Sequence, residues 1–106
     1  MIATRITVYN YGNVLIENTN DLGEFVSSEN HTISASDFQE VAGVFYENRF
    51  FDLTDNLDTD SCDGSWHYLE VTTENNSYKK GGLNPGEKRF VNCYKVVERT
   101  IQSKKQ

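Results

Sequence analysis

The sequence predicts an α+β domain: a small antiparallel sheet of two hairpins and an extra strand, with two helices on one face. Three observations carry this. Two stretches, one opening at residue 2 and one at residue 66, alternate side by side and are each followed by turn chemistry and a return segment. Two others repeat apolar residues at helical spacing. Each hairpin precedes a helix, which gives the order β-β-(β)-α-β-β-α. A chain of 106 residues makes one domain, residues 1–106.

In residues 2 to 9, Ile2, Thr4, Ile6 and Val8 share one face, and Ala3, Arg5, Thr7 and Tyr9 the other. Asn10-Tyr11-Gly12-Asn13 is a turn, with Gly12 free to take positive φ. Val14, Leu15 and Ile16 begin the return strand. Asn18 to Asp21 is polar and turn-like. Phe25-Val26 and Thr32-Ile33 read as parts of a third strand at a surface edge, broken between residues 27 and 30.

The first helix opens at Ser34 or Ser36, each followed three residues later by a polar side chain (Asp37 or Gln39). Phe38, Val41, Ala42 and Phe45 form its apolar stripe, and Asn48 ends it. Gly43 costs about 1 kcal/mol against Ala inside a helix, so it predicts a close approach to the sheet. Phe50, Phe51 and Leu53 are expected to fold back over the core. Residues 52 to 64 form a long acidic loop.

The next strand places Trp66, Tyr68, Glu70 and Thr72 on one face and His67, Leu69 and Val71 on the other. Glu74-Asn75-Asn76 turns the chain, residues 77 to 80 pair back, and Gly81-Gly82 ends that strand. Pro85 suits the approach to the second helix, and Glu87 suits its dipole. Phe90, Tyr94, Val97 and Ile101 are its buried stripe, flanked by Val91 and Cys93. Lys95, Arg99, Lys104 and Lys105 face solvent.

Cys62-Asp63-Gly64-Ser65-Trp66, Leu69-Glu70-Val71 and Gly81-Gly82-Leu83-Asn84-Pro85, with Phe50-Phe51-Asp52 upstream, carry a resemblance. The chain resembles a family of small uncharacterised bacterial and phage α+β proteins. Their pattern is Asp-Gly, an aromatic, an alternating strand, a polar turn, then Gly-x-Asn and Pro before a last helix. The resemblance implies the same order of elements and a bacterial or phage origin. It implies no activity. Many relatives have a Cys-rich opening after the first strand, which is absent here.

Charge is segregated along the chain. Residues 1 to 77 hold 14 acids and two bases, whereas residues 78 to 106 hold eight bases and two acids, for a net charge of −6. The acidic excess repels phosphate, which disfavours direct nucleic-acid binding and favours a basic protein partner. No segment approaches the roughly 18 apolar residues of a membrane span. The start, MIATRITVYN, lacks the basic and apolar regions of an export signal, so a cytoplasmic location and reduced thiols are expected.

No stretch spells out a reaction. Asp55, Asp58, Asp60 and Asp63 cluster within nine residues. Counted from Asp58, a calcium loop fails at Cys62, places its Gly one residue late at Gly64, and meets Leu69 where Glu70 is needed. Two Cys and two His lack zinc spacing. Cys62, beside Asp60 and Asp63, is a dull nucleophile. A Cys62–Cys93 disulfide is geometrically open, since both residues flank the second hairpin. Gly81-Gly82 with Lys79 and Lys80 lacks the spacing of a phosphate cradle. His67 beside Leu69 and Val71 reads as a satisfied sheet histidine.

The expected function is therefore non-enzymatic, with no catalytic residue, metal or cofactor assigned. The chain is expected to bind and block a basic protein, as a phage inhibitor of a defence nuclease or a toxin immunity protein. The contact residues assigned are Asp55, Asp58, Asp60, Asp63, Trp66, Tyr68, Glu70 and Glu74. The face of Trp66 is either an exposed recognition patch or a second cover for the core, and the balance favours burial of Trp66. Two alternatives stand beside this: a module that self-associates through a sheet edge, and a small enzyme with groups converging on His67.

Overall fold

A computed structural model describes residues 3–10, 12–20, 24–59, 65–83 and 85–104, apart from the side chains of Ser103 and Lys104. The assignments made to Ile2, Tyr11, Asp21, Asp60, Cys62, Asp63, Gly64, Asn84, Lys105 and the Lys104 side chain lie outside the described residues.

The elements are β1 (Ala3–Tyr9), β2 (Asn13–Thr19), β3 (Phe25–Thr32), α1 (Ala35–Glu47), a 3₁₀ turn (Phe50–Asp52), β4 (Trp66–Thr72), β5 (Ser77–Leu83) and α2 (Lys88–Lys104). They form one five-stranded sheet in the order β3-β2-β1-β4-β5. The fold is the expected α+β arrangement. Both helices pack on the same face, because Val41 and Phe45 of α1 and Phe90, Tyr94, Val97 and Ile101 of α2 join one core with Ile6, Val8, Val14 and Leu69.

The sheet is mixed. The pairs β1·β2, β2·β3 and β4·β5 are antiparallel, as expected of hairpins, but β1 and β4 are parallel, with Ile6 opposite Leu69 and Val8 opposite Val71. Each hairpin is local, while the join between them is made by a crossover through α1, and such a connection returns the chain in the same direction.

Several boundaries differ from those the sequence predicts. β3 is continuous across residues 27 to 30, because its register with β2 holds from Ser27 to Thr32. Its residues are exposed except for the half-buried His31, as an edge strand's are. β5 runs through Gly81 and Gly82 to Leu83. Both glycines have positive φ, and a Cβ on Gly81 would fall 2.1 Å from the His67 carbonyl. They continue the strand under a close neighbour and do not end it.

Ser34 is the cap of α1: its Oγ accepts from the Asp37 amide at 3.1 Å. Asn48 closes the helix, and its side chain donates to the Val44 carbonyl. Ala42 is exposed and does not belong to the buried stripe. Gly43 is also exposed, and a Cβ at that position would meet nothing within 4 Å, so it marks no close approach. Phe50 and Leu53 are buried as expected. Phe51 stays 46% exposed, edge-on to Tyr78. α2 buries Val96 as well as the expected stripe, and Cys93 is a buried free thiol.

Candidate functional site

The pleat places alternate residues on opposite faces, and the two helices cover only one of them. The helices leave the other face to the side chains of the strands themselves, which are half-buried along β1, β2 and β4, with Thr7 at the centre buried at 4% exposure. Cross-strand register fixes what it displays. Ala3, Trp66 and Leu83 lie in one row across β1, β4 and β5. Glu17, Arg5, Tyr68 and Gly81 lie in the next, and Leu15, Thr7, Glu70 and Lys79 in the one after. Trp66 and Tyr68 are half-buried on this face. Trp66 is half-buried on the face opposite the helices, between the buried and the exposed reading of the sequence, because both helices occupy the face of Leu69.

Gly81, opposite Tyr68, offers no side chain beside the phenol ring. The Lys79 ammonium stands 4.7 Å from the centre of the ring, a cation–π distance. Burial first, and then the Asp58 carboxylate, raise the Tyr68 phenol above its ordinary pKa. Much of the charge on the face is paired. Arg5 donates to Glu17 at 2.7 Å, and Glu70, opposite Lys79, accepts from the Ser77 hydroxyl.

The acidic loop closes the β5 edge of the sheet. Leu57 N–H donates to the Gly81 carbonyl, Gly81 N–H to the Asp55 carbonyl, and Thr59 N–H to the Leu83 carbonyl. Asn56 bridges Gly81 in parallel orientation, so residues 55 to 59 run along β5 as a partial outer strand. Asp58 Oδ1 accepts from Leu83 N–H at 2.6 Å. A Cβ on Gly82 would fall 2.2 Å from that same carboxylate oxygen, so a glycine is what admits Asp58 here.

Lys80 is the residue that sequence reasoning misses. It is 5% exposed, and its ammonium donates to the Leu53 carbonyl at 2.7 Å and to Asp55 Oδ1 at 2.9 Å. The alternation Tyr78, Lys80, Gly82 on the helix-facing side is readable, but a lysine there reads as solvated until its partner is known. Asp55, although held by Lys80, keeps 86% of its side chain exposed.

The structure thus brings Trp66, Tyr68 and Glu70 together on one face, with Asp58 at its rim. Asp55 lies on the same loop but is engaged toward the helix side. Glu74 is exposed in the β4–β5 turn, away from the Trp66 row at the opposite end of the strand. Asp60 and Asp63 are outside the described residues.

A second feature lies on the helix side. His67 Nδ1 and the Tyr94 hydroxyl are 3.2 Å apart in a hydrogen bond, with the rings edge-to-face. This is the satisfied sheet histidine expected from sequence. An open cleft of about 220 Å³ lies beside it, with Lys95 and Glu98 on its α2 wall. Burial, and then Glu98, push the Tyr94 phenol well above its usual range, so it keeps its proton while it is hydrogen-bonded with His67. Among the described residues no helix is long and apolar enough to cross a membrane.

Comparison with protein-family models, with curated proteins and with solved structures gives no match for this chain.

Proposed function

We propose that this protein acts by binding, and that the helix-free sheet face is the surface that meets a basic protein partner. The observation that carries the reading is the pair Trp66 and Tyr68, half-buried side by side on the sheet face opposite the helix-packed core. Aromatic side chains bring large contact area at small entropic cost, which is why they dominate binding hot spots. The local charges Arg5–Glu17 and Glu70–Lys79 are matched across strands, so the sign of the interaction comes from the rim and from the whole chain. Asp58 at the rim and a net charge of −6 favour a positively charged surface.

The mechanism is occupation. The aromatic strip supplies affinity, while the acidic rim steers the encounter and covers basic residues that the partner uses for phosphate. A nucleic-acid-processing enzyme in a bacterial cytoplasm is the partner class, with this chain as a phage-borne inhibitor or as the immunity protein of a toxin. The resemblance of the Asp63-Gly64 and Gly81-Gly82 segments to small bacterial and phage proteins supports that setting. The test is capture from bacterial lysate with the immobilised chain at roughly 50 mM and 500 mM salt. A basic protein retained at low salt and released at high salt is expected. Retention that does not depend on Trp66 and Tyr68 would count against the reading.

A further inference from the structure

The two edges of the sheet are treated differently by the chain. The β5 edge is closed by residues 55 to 59. The β3 edge is the end of the sheet, and among the described residues no strand or loop pairs with it. An uncovered edge is a row of unpaired backbone groups, guarded by Lys, Pro, other charges or bulges. β3, FVSSENHT, has no Lys or Pro; its one acid, Glu29, lies on the helix-facing side, and its register with β2 shifts only at the Phe25 end, which leaves residues 27–32 regular. It exposes Phe25 at 63% and Val26 at 60%.

The phase of the ladder says which groups are available. Ile33 N–H donates to the Gly12 carbonyl, in register with Val14 opposite His31 and Ile16 opposite Glu29. His31 and Glu29 therefore turn their backbone groups toward β2. Ser28, Asn30 and Thr32, the alternate set, turn theirs outward.

We propose that the β3 edge pairs antiparallel with β3 of a second copy, about a two-fold axis at Asn30. In that register Ser28 and Thr32 bond each other across the axis, and Asn30 bonds its counterpart in the second copy. Glu29 then stands opposite His31 of the second copy, twice, in the close non-hydrogen-bonded pairs where side chains meet. Centring the axis on Glu29 would instead set two carboxylates face to face. Within one chain His31 Nε2 already lies 3.7 Å from Glu29 Oε1; the two-fold register joins two such pairs into one four-residue cluster, and this self-complementary arrangement is what selects a second copy over an unrelated strand. Phe25 and Val26 reach the start of α1 in the other copy, and the two helix-free faces become one continuous sheet.

The proposal is independent of the role of Trp66 and Tyr68. It is tested on the full chain by sedimentation velocity from about 10 μM to about 1 mM, alongside amide exchange. The expected result is a reversible dimer in which the amides of Ser28, Asn30 and Thr32 gain protection with concentration. Those of Glu29 and His31, already bonded to β2, do not. Asn30→Pro removes only an outward N–H, which an edge strand tolerates, so it keeps the circular dichroism spectrum and weakens dimerisation at least about tenfold. Glu29→Lys also weakens it, and adding His31→Glu restores it. A monomer throughout the range, protection at other strands, or full dimerisation by a folded Asn30→Pro chain would each overturn the proposal.

Discussion

The buried ammonium of Lys80 lies 2.9 Å from the Asp55 carboxylate and 2.7 Å from the Leu53 carbonyl, and so ties the acidic loop to β5 from beneath. The loop is thereby held along the sheet edge, with Asp58 beside Leu83 at the rim of the helix-free face.

The two ends of that tie are unequal. Lys80→Ala strands the Leu53 carbonyl and frees the loop, and should cost about 2–3 kcal/mol of stability. Asp55→Asn should cost less than about 1 kcal/mol, because an 86% exposed carboxylate is screened by water. Urea unfolding of the two variants checks the order. An equal loss in both would mean that the Asp55 partner, and not the Leu53 carbonyl, holds the lysine.

Two glycines should respond in opposite directions. Gly43 lies on the exposed side of α1 with open space around it, so Gly43→Ala should stabilise by up to about 1 kcal/mol. Gly81 has φ +139° and the His67 carbonyl 2.1 Å from a Cβ, so Gly81→Ala should cost more than about 3 kcal/mol. Thermal unfolding of both separates the cases. A neutral Gly81→Ala would show that β5 does not run through the glycines as described.

What is legible in the sequence is what is local. Ile6 with Val8, and Trp66 with Tyr68, sort onto faces because the strand period is two. Ser34 is readable as a cap because its partner Asp37 is three residues away. The parallel pairing of β1 with β4 is not, since it depends on where α1 delivers the chain. Whether Trp66 faces core or solvent depends on both helices packing on the face of Leu69 and Val71. Lys80 and Gly43 mislead for the same reason: their meaning rests on neighbours distant in sequence.

Stability should fall at high pH through two buried groups on α2. Burial pushes the Cys93 thiol up to about 12, and the Tyr94 phenol is raised further by burial and by Glu98. In the unfolded chain they titrate near about 8.5 and 10. The folded state therefore keeps protons that the unfolded state releases, so stability is complete below the unfolded values and is lost as pH rises. Cys93→Ala should remove the part of the decline that begins near pH ~8.5, and Tyr94→Phe the part that begins near pH ~10. Denaturant titrations at stepped pH read this directly. A flat wild-type profile to pH ~11 would contradict the burial of both groups.

Removing the aromatics of the helix-free face should leave the fold standing. Trp66→Ala and Tyr68→Ala each uncover a half-buried ring, so a loss of about 1–2 kcal/mol is expected, below the about 3–5 kcal/mol of a core aromatic. Phe50→Ala, at 0% exposure, should reach that larger range. Comparable losses at Trp66 and Phe50 would place Trp66 in a second core.

Trp66 is the only tryptophan in the chain, so a fluorine label at that residue type reports on the helix-free face alone. The most direct test is the ¹⁹F spectrum of the 5-fluorotryptophan-labelled chain, with and without the basic protein that it retains at low salt. The binding account predicts that the Trp66 resonance shifts and broadens as the partner is added, and returns when salt is raised. A partner that binds while the Trp66 resonance stays unmoved would contradict it.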